Sequence, residues 1–156
     1  MRPIRLYLGG LIRPKTIDEN GIWHGVYDYD KSWRESFKEL ANDEEWLYVI
    51  DPLDGFIQDN NSVRWEASAI EIVRQCLDKL KTCNIMIANL SVAGSEMNRS
   101  IGTLKEMTYA RMVLDIPVIT VADEPYYSNN PWIEFESTFI LHRIEDVIPI
   151  IQERLL

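Results

Sequence analysis

The chain has 156 residues, enough to bury one core without disulfide or metal staples; 46% apolar and 26% charged residues exclude a disordered or fibrous chain. Sixteen basic against 25 acidic residues give a formal charge of −9, which disfavours coating a nucleic acid but leaves room for a small anion in a local pocket. No run approaches the roughly 18 apolar residues of a membrane span, no signal-peptide pattern opens the chain, and Cys76 and Cys83 form no metal-ligand spacing, so a reduced, cytoplasmic protein is expected.

In chain order, Ile4–Leu8 is a short apolar run ending at Gly9-Gly10, which predicts a strand followed by a close turn. Asp30–Ala41 carries Trp33, Phe37 and Leu40 at helical spacing, and Trp46–Ile50 is a second strand stopped by Asp51-Pro52. The spacing from Ser62 to about Lys81 predicts one long helix with Ala69, Ile72, Val73, Cys76, Leu77 and Leu80 on its apolar stripe. Ile85–Asn89 reads as a third strand, Gly102–Leu114 as a helix, Pro117–Val121 as a fourth strand, Phe139–Leu141 as a short fifth, and Ile144–Leu156 as a closing amphipathic helix interrupted by Pro149. No repeat or linker divides the chain, so a single domain over 1–156 is expected. Strands alternating with helices predict an α/β fold: a doubly wound, flavodoxin- or Rossmann-like three-layer sandwich around a parallel sheet of about five strands.

Such a fold binds ligands beyond the carboxyl ends of its strands, which makes Gly9–Lys15, Asp51–Phe56, Leu90–Ile101 and Ala122–Asn130 the candidate site loops. Gly9 and Gly10 let backbone N–H groups approach a ligand, and Arg13 could hold a phosphate or carboxylate; a tight turn with a solvated arginine is the plainer reading. Ser100-Ile101-Gly102-Thr103 opens a helix whose N–H groups and hydroxyls can bind anionic oxygens. Glu106 lies one turn further on, on the face shared by Gly102, Thr103, Tyr109 and Ala110. Its carboxylate could attack an electrophilic carbon, or it could be a solvated acid in a first turn. The dinucleotide, Walker, zincin and hydrolase-elbow patterns are absent. His24 and His142 have no obvious partner, and Trp23, Tyr27 and Phe56 are candidates for stacking on a base from loop position alone.

Four pieces stand in order along the chain: LYLGGLIR, SWRESFKEL followed by YVIDPLDG, LKTCNIMIANL, and SIGTLKEMTYARMVLDIPVITV. Together they resemble the nucleoside 2-deoxyribosyltransferase family, including its relatives that hydrolyse deoxynucleoside 5′-monophosphates. The resemblance implies a flavodoxin-like fold, no metal, no cofactor, and a homodimer or larger homo-oligomer whose subunits share active sites. It implies a nucleoside or nucleoside monophosphate and a free nucleobase as ligands, with no nucleic acid or membrane partner. It casts Glu106 as the nucleophile at C1′ of the sugar and Tyr7 as the residue that orients it. Ile12 and Arg13 fall where the hydrolases follow the 5′-phosphate. Ser100 stands where the transferases carry an aspartate for the sugar hydroxyl, and a hydroxyl there can donate to a phosphate that a carboxylate would repel. Ser128 and Asn129 fall in the segment lent to a neighbour's site. The chain departs from the family at Cys76, where the acid that assists base departure is expected. Asp78, Asp51 or Asp54 are the sequence's alternatives for that acid. Exchange or cleavage of an N-glycosidic bond is the leading expectation, with nucleotide N-hydrolysis and a non-catalytic nucleotide-binding module as the alternatives.

Overall fold

A computed structural model describes residues 3–10, 14–25, 31–54, 57–59, 62–64, 67–91 and 101–156. Five apolar runs make the central sheet: β1 (Ile4–Gly10), β4 (Leu47–Ile50), β8 (Ile85–Asn89), β9 (Val118–Val121) and β10 (Phe139–Leu141). Their spatial order is β10-β9-β8-β1-β4 and every pairing is parallel, as the alternating pattern predicts. Counted along the chain this is the 2-1-3-4-5 winding of flavodoxin-like folds, with the order reversing between β1 and β8.

Period-two alternation on β1 sets the layers. Leu6 and Leu8 face one core with Trp33, Phe37 and Ala41 of α1 (Lys31–Ala41) and Val147, Ile148 and Ile151 of α6 (Val147–Arg154). Tyr7 faces the opposite core with Leu80 of α2 (Ala69–Leu80), Met107 of α3 (Ile101–Tyr109), Tyr127 of α4 (Pro125–Ser128) and Ile133 of α5 (Pro131–Glu136). Helices on both faces explain why β8 and β9 are buried at every position.

Three expectations are corrected. The long helix over 62–81 is shorter: 62–64 is β6 (Ser62–Arg64), paired with β5 (Ile57–Asp59), and 67–68 is β7 (Ala67–Ser68). The helix starts at Ala69 because Ser68 caps it, accepting from the Glu71 N–H while Glu71 accepts from the Ser68 N–H at 2.8 Å. Its buried stripe is Ile72, Cys76 and Leu80, and Val73 faces out at 56% exposure. The helix over 102–114 begins at Ile101 and loosens into a π-helical turn at Ala110–Leu114. The closing helix begins only at Val147, after a 3₁₀ turn at Ile144–Asp146, and Pro149 sits in its first turn, where a missing N–H costs nothing. The sequence pattern also missed a small antiparallel sheet, in which β3 (Ile22–Gly25) pairs with β2 (Pro14–Ile17) and β7.

Candidate active site

β1 ends at the switch point with Gly9 and Gly10, and both positions need a bare backbone. A Cβ on Gly9 would lie 2.6 Å from Met86 Cε, 3.0 Å from the Ile87 carbonyl oxygen and 3.4 Å from Glu106 Oε2. A Cβ on Gly10 would lie on the other side of the sheet, 2.7 Å from the Trp33 ring and 3.1 Å from Arg34 Nη2. The two glycines therefore let α3 and α1 close against opposite faces of the same strand end.

On the α3 side, Tyr7 Oη donates to Glu106 Oε1 at 2.9 Å. Tyr7 is fully buried. The Cys76 thiol is buried beside them, and its electrostatics are coupled to both groups. Three elements thus converge: β1 supplies Tyr7, α2 supplies Cys76 and α3 supplies Glu106. Glu106 is half-buried as a residue, but its carboxyl sits in the dry part of the cluster. Burial pushes its pKa up to about 7, partly offset by donation from Tyr7, the charge of Arg34 and donation from Cys76. Burial and the Glu106 charge likewise hold the Tyr7 hydroxyl well above its ordinary range and push the Cys76 thiol up to about 12. Tyrosine and cysteine therefore stay protonated as donors while the glutamate titrates near neutrality. A thiol this weakly acidic is a poor proton donor to a leaving group.

The sequence's alternative acids fare no better. Asp78 is 60% exposed and pairs with Lys81 at 3.0 Å. Asp51 is buried and engaged by Arg34 at 3.0 Å, by Lys38 at 2.9 Å and by the Leu53 N–H at 2.9 Å. Burial alone would raise the Asp51 pKa, but the charges of Arg34 and Lys38 hold it below the ordinary carboxylate range, so it has no proton to give near neutrality. Asp54 is 57% exposed and pairs with Lys38. Thr103 is buried one turn before Glu106, and its hydroxyl has no hydrogen-bond partner among the described residues. Gly102 is exposed with open space around it. Ser128 is half-buried at the end of α4, and Asn129 caps that helix and is exposed. Ile12, Arg13, Tyr27, Phe56 and Ser100 lie outside the described residues. Among the described residues no group of three or more His, Cys, Asp or Glu could hold a metal, and no helix is long and apolar enough to cross a membrane.

Arg34 is the participant that sequence reasoning missed. It is only 1% exposed, and Nη1 donates to the Leu8 carbonyl oxygen at 2.9 Å as well as to Asp51. Its signal was present: Arg34 stands three residues before Phe37 and seven before Ala41, the spacing of the buried face of α1.

No family model matches the chain, and no curated protein matches it by sequence. Among solved structures the fold is similar to that of the 2-desoxiribosyltransferase from Leishmania mexicana, with a TM-score of 0.62 and 16% identity over 99% of this chain and all of that one. That likeness covers the whole five-stranded architecture and establishes the fold.

Proposed function

We propose that the protein is a deoxyribosyltransferase-like enzyme that cleaves or exchanges the N-glycosidic bond of a 2′-deoxynucleoside or its 5′-monophosphate, with Glu106 as nucleophile. The observation that carries this reading is the Tyr7–Glu106 hydrogen bond at the switch point of the sheet. It fixes one carboxylate oxygen and leaves Oε2 beside Gly9. A pKa near 7 leaves a useful fraction of Glu106 ionised at neutral pH.

In the first step a Glu106 oxygen bonds to C1′, the C1′–N bond breaks, and its electron pair leaves with the base. Charge develops on the sugar ring as in retaining glycosidases, and the carboxylate supports it. In the second step the nitrogen of an acceptor base, or a water oxygen, bonds to C1′ and gives up its proton to solvent as the C1′–Glu106 ester bond breaks and Glu106 leaves as carboxylate. Two displacements return the original configuration. Among the described residues neither Cys76 nor Asp51 is suited to protonate the leaving base, and in this reading the base takes its proton from solvent. The unpartnered Thr103 hydroxyl is available to the sugar or its phosphate. Gly10, Ile12, Arg13, Gly102, Asn129 and Ser128 remain binding candidates in this reading, with the last two serving a neighbouring subunit of a homo-oligomer.

Hydrolysis of 5′-monophosphates is a second reading, favoured by Ser100: a hydroxyl six residues before Glu106 suits a phosphate better than a carboxylate would. The test incubates the full chain with deoxynucleosides and their 5′-monophosphates, with and without a free acceptor base, beside Glu106→Ala. A new nucleoside formed only with acceptor identifies a transferase, and free base without exchange identifies the hydrolase. Binding without any base release would replace both with a non-catalytic nucleotide-binding module.

A further inference from the structure

Buried polar groups in native proteins are paired almost without exception, so buried donors gathered in one place without partners call for an explanation. Among the described residues three donors without partners are neighbours at the carboxyl end of β1, on the sheet face opposite Glu106: Trp33 Nε1, Arg34 Nε and Arg34 Nη2. The Trp33 ring and Arg34 Nη2 both press on the Cβ position of Gly10, and the guanidinium stacks over the indole at 4.8 Å. Trp33 is 8% exposed and Arg34 1%. All three groups are N–H donors with no acceptor capacity, so an acceptor-rich ligand suits them and a cationic one does not. The charge of the pocket points the same way. Arg34 and Lys38 both reach the buried carboxylate of Asp51. The other partners of Lys38, Asp54 and Glu35, are 57% and 49% exposed and are screened by water. Two cations, the buried Arg34 and the half-buried Lys38, thus share this carboxylate in a chain whose net charge is −9.

We propose that Trp33 and Arg34 form a subsite for one oxyanion, a phosphate monoester or a carboxylate, at the carboxyl end of β1. If the reaction is the glycosidic one proposed above, this subsite makes the phosphorylated nucleoside the preferred substrate, and that consequence rests on the reading of Glu106. The binding claim itself does not. Asp51 is then a positioning residue: it holds Nη1 and turns Nε and Nη2 toward the ligand. A guanidinium fork beside an indole N–H is selective for planar or tetrahedral oxyanions over a neutral hydroxyl.

The test is an NMR titration of the full chain that follows the Trp33 indole N–H signal, assigned by through-bond experiments on the wild type. Inorganic phosphate, acetate and chloride are added at equal ionic strength. A saturable shift with phosphate or acetate but not chloride is expected, and the arm that saturates first names the preferred source. No saturable shift with either anion, as expected were the donors bound only to buried water, overturns the proposal. In the activity arm, Trp33→Phe keeps the stacking ring and removes one donor. It should raise KM for a deoxynucleoside 5′-monophosphate about tenfold, the loss of a charged hydrogen bond, and leave KM for the deoxynucleoside within about twofold. Equal changes for both substrates count against the subsite. Arg34→Lys, which keeps the charge beside Asp51 but loses the fork, should abolish the saturable indole shift; a retained shift would contradict the proposal. If no substrate releases base yet Trp33 responds to phosphate, the glycosidic reading fails and the subsite stands.

Discussion

Replacing Tyr7 with phenylalanine removes one oxygen from the centre of the molecule and isolates what orientation of Glu106 contributes. Tyr7 is fully buried and its ring packs against Leu80, Met86 and Met107, so phenylalanine keeps the packing. What is lost is the 2.9 Å donation to Glu106 Oε1. A hydrogen bond to a charged group is worth about 1.5–3 kcal/mol, and each tenfold change in ionisation is about 1.4 kcal/mol. Donation from Tyr7 favours the charged carboxylate, so its removal raises the Glu106 pKa from about 7 by about one pH unit or slightly more. Glu106 must be ionised to attack, so kcat/KM rises with pH through that pKa. In Tyr7→Phe the rising limb should move from near pH 7 toward pH 8. At pH 6 the variant should lose about tenfold more activity than it loses at pH 9. The assay is the pH profile of base release from a deoxynucleoside whose base departs as a stable anion, so that no acid limb overlays the carboxylate limb. An unmoved midpoint, or a loss equal at every pH, would refute the assignment of Tyr7 as the group that sets the ionisation of Glu106.

Other outcomes follow from the same contacts. Glu106→Gln should abolish turnover and also stabilise the fold at pH 8. Because the folded pKa of about 7 lies above the ordinary 4.5, the folded state binds more protons between those values, and the stability contribution of Glu106 is lost as pH rises from 4.5 through 7. The full span corresponds to about 3 kcal/mol, or roughly 6–12 °C in Tm at pH 8 and nothing at pH 4, read by thermal melts. Arg34→Met removes one of the two cations on the buried Asp51 and should cost about 1.5–3 kcal/mol in urea unfolding, the worth of a charged hydrogen bond, with Arg34→Lys recovering part of it. Ser68→Ala breaks the capping box of α2 and should cost about 1 kcal/mol by the same measurement without changing the pH profile of activity.

The five sheet strands were legible because each is a mostly apolar run bounded by turn residues, as parallel strands buried on both faces require. The start of α2 was not read correctly. The apolar stripe read from the sequence began only at Ala69, and the residues before it, 62–64 and 67–68, form strands, so the helix was carried too far toward its amino end. The capping signal at Ser68 and Glu71 was in the sequence and fixes the true boundary. The partnership of Tyr7 with Glu106 needed more than spacing, since 99 residues separate them and only the β1–β8 pairing and the path of α3 bring them together. The resemblance named both residues, and the geometry supplies their contact. Arg34 was not singled out in the sequence; its burial depends on Asp51, which arrives from the far end of β4 and which no local pattern reveals. Cys76 lies beside Glu106 where an acid was expected, and the physical reading of that position is donation to the carboxylate.

The most direct test of the central claim is to trap the sugar on the enzyme. Acid quench during turnover of a deoxynucleoside or its 5′-monophosphate, followed by intact and peptide mass spectrometry, reports any covalent intermediate. The account predicts an adduct of one deoxyribosyl unit, or its phosphate, on the peptide carrying Glu106, absent in Glu106→Gln and discharged by acceptor base or water. Sustained base release with no adduct on that peptide, or undiminished release by Glu106→Gln, would contradict it.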